Sequence, residues 1–214
     1  MSRSVCWEMQ GQIAAIKLNH PPVNAINGKL LIDFNHCLNE IERQETVKAM
    51  VLMSTSEVIF ATSASKKETG NKEDGEINRK LFFEIINKIR TLPFPAIAIV
   101  SGLALEEGFE LALACDYRLA TKSARFGFLN GSSPTKFGKS SLVSLIGQEK
   151  ANEVIELGKI YGGIEAKRIG IVDRLIGTKH LLSEGMEMEK LVNSQLGKAM
   201  KLDKRFWQCS LSAR

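Results

Sequence analysis

Three glutamates lie close together at the start of one apolar segment, and their residue type and spacing suit proton transfer. The segment is SGLALEEGFELALACDYRLAT, residues 101–121, and the glutamates are Glu106, Glu107 and Glu110. After Gly102 the pattern predicts a helix, whose N-terminal dipole stabilises nearby carboxylates by about 0.3 to 1 kcal/mol each. The dipole accounts for the first two glutamates, but Glu110 lies one turn further along, among apolar residues.

Glu110 is the candidate acid/base of this segment. Helical spacing puts it level with Glu106 and Glu107, which precede it by four and three residues. A carboxyl between an apolar helix and two other acids is expected to have a raised pKa, because desolvation and like charge both disfavour ionisation. Such a group can accept and return a proton near neutral pH. A second interpretation stays open at this point, in which the three acids form a solvated face at the helix start.

The composition is that of an ordinary globular domain. The chain has 214 residues, of which 44% are hydrophobic and 25% charged, so it can bury a substantial core. The net charge of +5 suits an anionic partner, but the lysines and arginines are scattered and no aromatic residues interleave with a basic cluster. The sequence therefore predicts no nucleic-acid partner, and a small ligand that carries phosphate is an equally good use of the charge.

The cysteines and histidines show no metal-binding pattern. No CxxC pair occurs, and the histidines are far apart in the chain, so we predict buried reduced thiols and no metal site. The cysteines are Cys6, Cys37, Cys115 and Cys209, and the histidines are His20, His36 and His180. The first residues lack an apolar segment and no stretch approaches about 18 continuous apolar residues, which predicts a cytoplasmic protein without a membrane partner.

Apolar periodicity predicts short strands separated by helices, which indicates an α/β fold. The predicted strands are 11–19, 49–55, 58–61, 96–101, 116–121 and 170–176. The predicted helices are 28–44, 78–92, 139–158, 179–200 and the helix that begins near Glu106. The polar, glycine-containing segment 63–76 is predicted to be a surface loop.

The segment that contains the glutamates resembles the motif NGxALGGGxELALACDxRIA of the crotonase (enoyl-CoA hydratase/isomerase) superfamily. Other segments resemble this family in the same order, from about residue 11 to about residue 195. They are HPPVNAIN (20–27) for NxPxxNAL, FATSAS (60–65) for FSAGAD, ARFGFLN (124–130) for AxFGxPE and EAKRIGIVDRLI (165–176) for AxxxGLVxxVV.

The resemblance implies a crotonase-like spiral of ββα units with flanking helices. It implies a single domain over 1–214, with the spiral in about 1–178 and a C-terminal helical segment in 179–214. Members of this family are usually homotrimers or hexamers and bind an acyl thioester. Coenzyme A would then be part of the substrate, and no separate cofactor is expected.

The resemblance also assigns roles to particular residues. The backbone N–H groups of Ala64 and Glu107 would form an oxyanion hole, which holds the thioester oxygen as it becomes an enolate. Donors directed at developing charge are usually the largest single catalytic term. Glu110 matches the acid/base glutamate of the family. Ser63, Ser65 and Lys66 are predicted to contact the substrate, although the commoner roles are a solvated loop charge for such a lysine and turn hydroxyls for such serines.

Departures from the family motif at three positions affect the predicted chemistry. Glu106 and Glu107 replace two glycines, and a carboxylate about 6 Å from an enolate raises its energy by roughly 3 kcal/mol at an effective dielectric near 20. Asn130 stands in the place of a second catalytic glutamate, and its amide can orient water but cannot exchange a proton.

One remaining carboxyl favours enolate chemistry of the isomerase or decarboxylase type over standard hydration. The acyl group would be carried by coenzyme A or by a carrier protein. The alternative is a catalytically inactive crotonase-fold protein with a binding or assembly role.

Overall fold

The computed structural model describes residues 3–65, 72–129, 134–179 and 181–193. These residues form short strands and helices that alternate along the chain. The strands are β1 Val5–Gln10, β2 Ile13–Leu18, β3 Ala25–Ile26, β4 Ala49–Ser54, β5 Ile59–Ser63, β6 Ala96–Val100, β7 Leu103–Leu105, β8 Tyr117–Ala120, β9 Arg125–Gly127, β10 Tyr161–Gly162 and β11 Arg174–Leu175. The helices are α1 Gly28–Glu42, α2 Lys72–Thr91, α3 Glu107–Ala114, α4 Lys136–Ile146, α5 Gln148–Glu156, α6 Gly163–Ile169 and α7 Leu181–Asn193.

Successive pairs of strands, each followed by a helix, build two sheets in step. One sheet has the order β1-β2-β4-β6-β8-β11, and the other has the order β10-β9-β7-β5-β3. The first strand of each unit extends the first sheet and the second strand extends the second sheet. The strands pair in parallel, except that β1 is antiparallel to β2 and β10 is antiparallel to β9. This arrangement confirms the predicted crotonase-like spiral of ββα units.

The spacing of apolar residues decides which helix faces are buried. In α1 the buried side chains recur every three or four residues, and Asn27 caps the helix by accepting a hydrogen bond from the Leu30 backbone N–H. They are Leu30, Leu31, Phe34, Cys37, Leu38 and Ile41. α3 differs, because it is buried from Gly108 to Ala114. A helix that is buried all round can place a carboxyl in the protein interior.

Helix α2 begins at Lys72, six residues earlier than the predicted start at Asn78. Residues 72–77 have no helical apolar spacing, but Glu73 and Asp74 in the first turn are stabilised by the helix dipole. The prediction of a loop over 63–76 was therefore wrong for its last five residues, and residues 66–71 lie outside the described part of the chain.

The single helix predicted over 139–158 was also wrong, because α4 and α5 are separate. Gly147 between them has a φ of 80°, which no residue inside an α-helix adopts. The strand predicted over 170–176 is limited to Arg174–Leu175, since Gly170 caps α6 in a left-handed conformation. Of the helix predicted over 179–200, the structure describes α7, and residues 194–200 lie outside it.

Candidate active site

The candidate site lies where three neighbouring strands of the second sheet end. β5 pairs in parallel with β7, and β7 pairs in parallel with β9. Because the carboxyl ends of parallel strands meet at one edge of a sheet, the residues that follow these strands are brought together. Ala64 follows β5, Glu106 and Glu107 follow β7, and Leu129 lies just after β9. Residues that are about 20 to 40 positions apart in sequence thus become spatial neighbours.

The backbone at the start of α3 packs closely against the backbone of β5. A Cβ atom added to Gly108 would lie 2.0 Å from the Ala61 carbonyl oxygen, so only glycine fits at this position. Next to this contact, the Ser63 hydroxyl donates a hydrogen bond to Glu107 Oε2. The structure therefore brings the predicted oxyanion strand and the predicted oxyanion helix into contact.

Glu110 is buried, with 2% of its surface exposed. Its carboxyl extends from α3 to the N-terminus of α4, where the Thr135 backbone N–H donates to Oε1 at 2.8 Å and the Thr135 hydroxyl donates to Oε2. The same hydroxyl accepts a hydrogen bond from the Gly138 N–H at 3.1 Å and so caps α4. The interpretation of the three acids as a solvated face is therefore wrong for Glu110.

Burial raises the pKa of Glu110, and the negative charges of Glu107 and Glu106 raise it further. The two hydrogen bonds from Thr135 oppose this shift, because they stabilise the carboxylate. The direction agrees with the sequence prediction, and desolvation is the larger cause. A carboxyl with a raised pKa keeps its proton to a higher pH than an ordinary carboxyl, a property that suits an acid/base catalyst.

The Glu107 carboxyl is half-buried and lies against β5. Burial raises its pKa, the backbone N–H of the same residue lowers it, and the charge of Glu106 raises it. The N–H predicted to hold a thioester oxygen is thus in contact with its own carboxyl. A substrate oxygen has to replace the carboxyl at that N–H before the group can act as an oxyanion donor.

Glu106 links β7 to α3 in an unusual backbone conformation, with φ 56° and ψ −126°. Residues other than glycine rarely adopt these φ and ψ angles. Two contacts with the end of β9 hold the turn: the Glu106 N–H donates to the Gly127 carbonyl at 3.1 Å, and the Leu129 N–H donates to Glu106 Oε1. The Glu106 side chain is therefore directed toward Leu129, whereas the Glu107 carboxyl contacts Ser63.

Replacing Glu106 by glycine is expected to raise the free energy of unfolding by about 1 kcal/mol. The substitution removes a backbone strain of about 1 to 3 kcal/mol, but the greater conformational entropy of glycine in the unfolded chain offsets about 0.5 to 1 kcal/mol of this stabilisation. Denaturant unfolding of wild type, Glu106→Gly and Glu106→Gln measures the effect. The glutamine variant is the control, because it removes the charge and keeps the strain. A glycine variant less stable than the glutamine variant contradicts the assignment of strain.

Asn24 positions the strand that leads to Ala64. It is buried and adopts a left-handed conformation with φ 49°, which asparagine tolerates. Its side-chain amide donates to Ser54 Oγ at 2.8 Å and to the Phe60 carbonyl at 3.0 Å, and its Oδ1 accepts from the His20 N–H at 2.6 Å. The turn 20–27 therefore acts as a support for β5.

A family model described as enoyl-CoA hydratase/isomerase matches residues 8–209 of the chain. The chain belongs to the enoyl-CoA hydratase/isomerase family. The short-chain-enoyl-CoA hydratase of Clostridium acetobutylicum is 31% identical to it, over 97% of this chain and 84% of that protein. A probable enoyl-CoA hydratase of Rhizobium meliloti is 33% identical, over 90% of this chain and 77% of that protein.

Solved structures of the enoyl-CoA hydratase/isomerase family have the same fold. The crystal structure of an enoyl-CoA hydratase from Bacillus anthracis superposes with a TM-score of 0.87 at 26% identity, and the match covers 99% of this chain and 84% of that one. The two-sheet spiral described above is therefore the family fold, as the sequence resemblance implied.

Five of the residues predicted from the family motif lie in the described part of the chain, and the structure brings them to one edge. Ser63, Ala64 and Ser65 end the β5 segment, and Glu107 and Glu110 lie in α3. Asn130 and Lys66, also predicted for the site, lie outside the described residues.

The sequence analysis missed Thr135 and Gly138, which contact the Glu110 carboxyl. Thr135 has a recognisable sequence signal, because threonine is a preferred residue before a helix. No sequence signal, however, connects it to a glutamate 25 residues earlier.

Other features of the described residues do not contribute to this site. A groove of about 880 Å³ lies at the opposite, C-terminal end of α3 and is lined by Leu113, Asp116, Lys139 and others, but by none of the three glutamates. Among the described residues, no group of three or more His, Cys, Asp or Glu side chains could hold a metal ion. None of the described helices is both long enough and apolar enough to cross a membrane.

Proposed function

We propose that the protein acts on an acyl thioester and stabilises its enolate, with Glu110 as the acid/base. The observation that carries the proposal is the Glu110 carboxyl itself, which is buried at 2% exposure, has a raised pKa and lies one turn after the predicted oxyanion residue. A proton can move between such a carboxyl and the carbon next to a thioester carbonyl. Family membership supports coenzyme A as the carrier, and a carrier protein is the other candidate.

The oxyanion hole is proposed at the N–H groups of Ala64 and Glu107. The contact between Ser63 and Glu107 supports this assignment, because it places the end of β5 beside the start of α3. As a proton leaves the α-carbon, its electron pair moves into the carbonyl and the oxygen becomes negative. Two N–H donors directed at this oxygen lower the energy of the enolate. We propose that Ser63, Ser65 and Lys66 contact the substrate beyond the reacting atoms.

A single acid/base supports isomerisation or decarboxylation, in which one carboxyl returns a proton to the enolate. The second candidate function is a catalytically inactive family member that binds thioesters or assembles with other copies. The contact between the Glu107 N–H and its own carboxyl favours this candidate, because it competes with the substrate oxygen. The homotrimer or hexamer implied by the family stays a prediction, which light scattering on the purified protein can test.

Exchange of the α-hydrogens of butyryl-CoA with D₂O, followed by NMR, tests the proposed function. Enolate formation is expected to cause exchange that depends on the protein. A thermal shift with butyryl-CoA separates the candidates, because a ligand that binds the folded state stabilises it by RT ln(1 + [L]/Kd) and so raises the melting temperature. Stabilisation without exchange supports the inactive alternative. The absence of both contradicts thioester binding altogether.

A further inference from the structure

We propose that Glu107 is a second catalytic residue, whose carboxylate takes a proton from water when water adds to an α,β-unsaturated acyl thioester. This inference rests on the proposed function, because it assumes that the Ala64 and Glu107 N–H groups hold the thioester oxygen. The new element is that Glu107 would have two roles: its backbone N–H would be an oxyanion donor, and its carboxylate would be the base. Residue 130, which is asparagine in this chain, would then not be required as a base.

The geometry of a helix N-terminus directs the Glu107 side chain toward the substrate. Glu107 is the first residue of α3, and Cα–Cβ bonds in a helix tilt toward the N-terminus, which is also the direction of the free N–H groups. Its carboxyl contacts its own N–H and accepts a hydrogen bond from the Ser63 hydroxyl. A carboxyl that reaches this N–H lies close to any acyl group whose oxygen binds there.

The two carboxyls of α3 have surroundings that suit opposite roles. Glu107 and Glu110 are three residues apart, so they lie on the same side of the helix, and the charge of Glu107 disfavours ionisation of Glu110. Glu110 is the more buried, which favours its protonated form, although both hydrogen bonds from Thr135 oppose this. Burial raises the pKa of Glu107 as well, but this residue is only half-buried, and the hydrogen bonds from Ser63 and from its own N–H oppose the rise by stabilising its carboxylate.

Binding of the thioester would rearrange one hydrogen bond. The thioester oxygen replaces the Glu107 carboxyl at the Glu107 N–H, and the Ser63 hydroxyl keeps the carboxyl beside the acyl chain. A water molecule on the more exposed side of Glu107 can then reach the β-carbon.

The Glu107 and Glu110 carboxyls are sufficient to balance the proton transfers in the addition of water. The water oxygen forms a bond to the β-carbon while one water proton passes to the Glu107 carboxylate. The electron pair of the double bond moves toward the carbonyl and forms the enolate, whose oxygen is held by the two N–H donors. The Glu110 carboxyl proton then passes to the α-carbon, and the carbonyl re-forms. Glu107 ends protonated and Glu110 ionised, and exchange with solvent restores both.

The test compares two reactions in three variants. Hydration of trans-2-butenoyl-CoA requires both carboxyls, whereas α-hydrogen exchange in butyryl-CoA requires Glu110 and the oxyanion donors. Glu107→Gln is expected to lower hydration by about 100-fold or more, the usual loss for a general base, and to lower exchange far less, since glutamine keeps the backbone N–H at this position. Glu110→Gln is expected to lose both reactions. Glu57→Gln is the charge-matched control, because Glu57 is exposed and precedes β5, and both reactions should continue at the wild-type rate.

Several outcomes would overturn the role of Glu107. They are hydration that persists in Glu107→Gln, loss of exchange together with hydration in that variant, and faster hydration in Glu107→Gly, which would identify the side chain as an obstruction. A wild-type protein that exchanges but does not hydrate overturns this inference and leaves the proposed function in place. Exchange that persists in Glu110→Gln, or is absent from the wild type, overturns the proposed function itself.

Discussion

Replacing Glu110 by glutamine is expected to lower the rate of α-hydrogen exchange by about 10²- to 10⁴-fold, the range found when a general acid/base is removed. The substitution is nearly isosteric. The glutamine oxygen can still accept from the Thr135 N–H, and its amide can donate to the Thr135 hydroxyl, so the local structure should be kept. Binding of butyryl-CoA, measured by thermal shift, should therefore be unchanged.

The same variant should be more stable than wild type at neutral and alkaline pH. The folded-state pKa of Glu110 is raised above its ordinary value, so the protonated form is favoured by folding. This contribution is fully present below the ordinary carboxyl pKa and is lost as the pH rises through the folded pKa. Glutamine does not ionise and avoids that loss. The melting temperature of Glu110→Gln should exceed that of wild type at pH 8, and the difference should shrink toward pH 5.

A loss of turnover with unchanged binding and higher stability identifies a functional carboxyl, since a purely structural residue would not give this combination. If Glu110→Gln keeps the wild-type exchange rate, the residue has no part in proton transfer. If it lowers the melting temperature at pH 8, burial does not disfavour the carboxylate and the direction of the pKa shift is wrong.

Replacing Gly138 by alanine is expected to lower the rate of α-hydrogen exchange by roughly 100-fold, because displacing a catalytic group by about 1 Å can have this effect. A Cβ atom at position 138 would lie 2.7 Å from Glu110 Cδ and 2.9 Å from Glu110 Oε2. These distances are too short for a real contact, so the carboxyl has to move. The backbone of α4 is less free to shift, since the Gly138 N–H takes part in the Thr135 cap.

A matched glycine substitution separates this effect from the general effect of alanine in a helix. Gly75 lies in α2, and a Cβ there would meet no atom within 4 Å. Gly75→Ala should raise the free energy of unfolding by about 0.5 to 1 kcal/mol and leave exchange unchanged. Circular dichroism should show that Gly138→Ala remains folded. A folded Gly138→Ala protein with full turnover would show that the observed position of the Glu110 carboxyl is not the reactive one.

Part of this site could be predicted from residue types and spacing. Helical periodicity after Gly102 correctly placed Glu106 and Glu107 at a helix start and Glu110 one turn further along. The apolar run around Glu110 correctly indicated burial and a raised pKa. Such inferences succeed because helix geometry, the helix dipole and desolvation depend mainly on residues that are near one another in sequence.

Local patterns were misleading where single residues overrode them. The apolar spacing over 139–158 continues across Gly147, whose φ of 80° nevertheless separates α4 from α5. Strands β7 and β9 have three residues each, too few for a recognisable alternation. The early start of α2 has only the acidic residues of its first turn as a sequence signal.

The contacts that give each glutamate its chemistry come from residues remote in sequence, and no local pattern contains them. Thr135 follows Glu110 by 25 residues, and Ser63 precedes Glu107 by 44. Their proximity arises because successive ββα units stack in parallel, so that equivalent strand ends share one edge. Residue type and spacing thus identified a buried carboxyl with a raised pKa. The stacking of the units determined which donors surround each carboxyl and where each side chain is directed, because desolvation and hydrogen bonding act between neighbours in space.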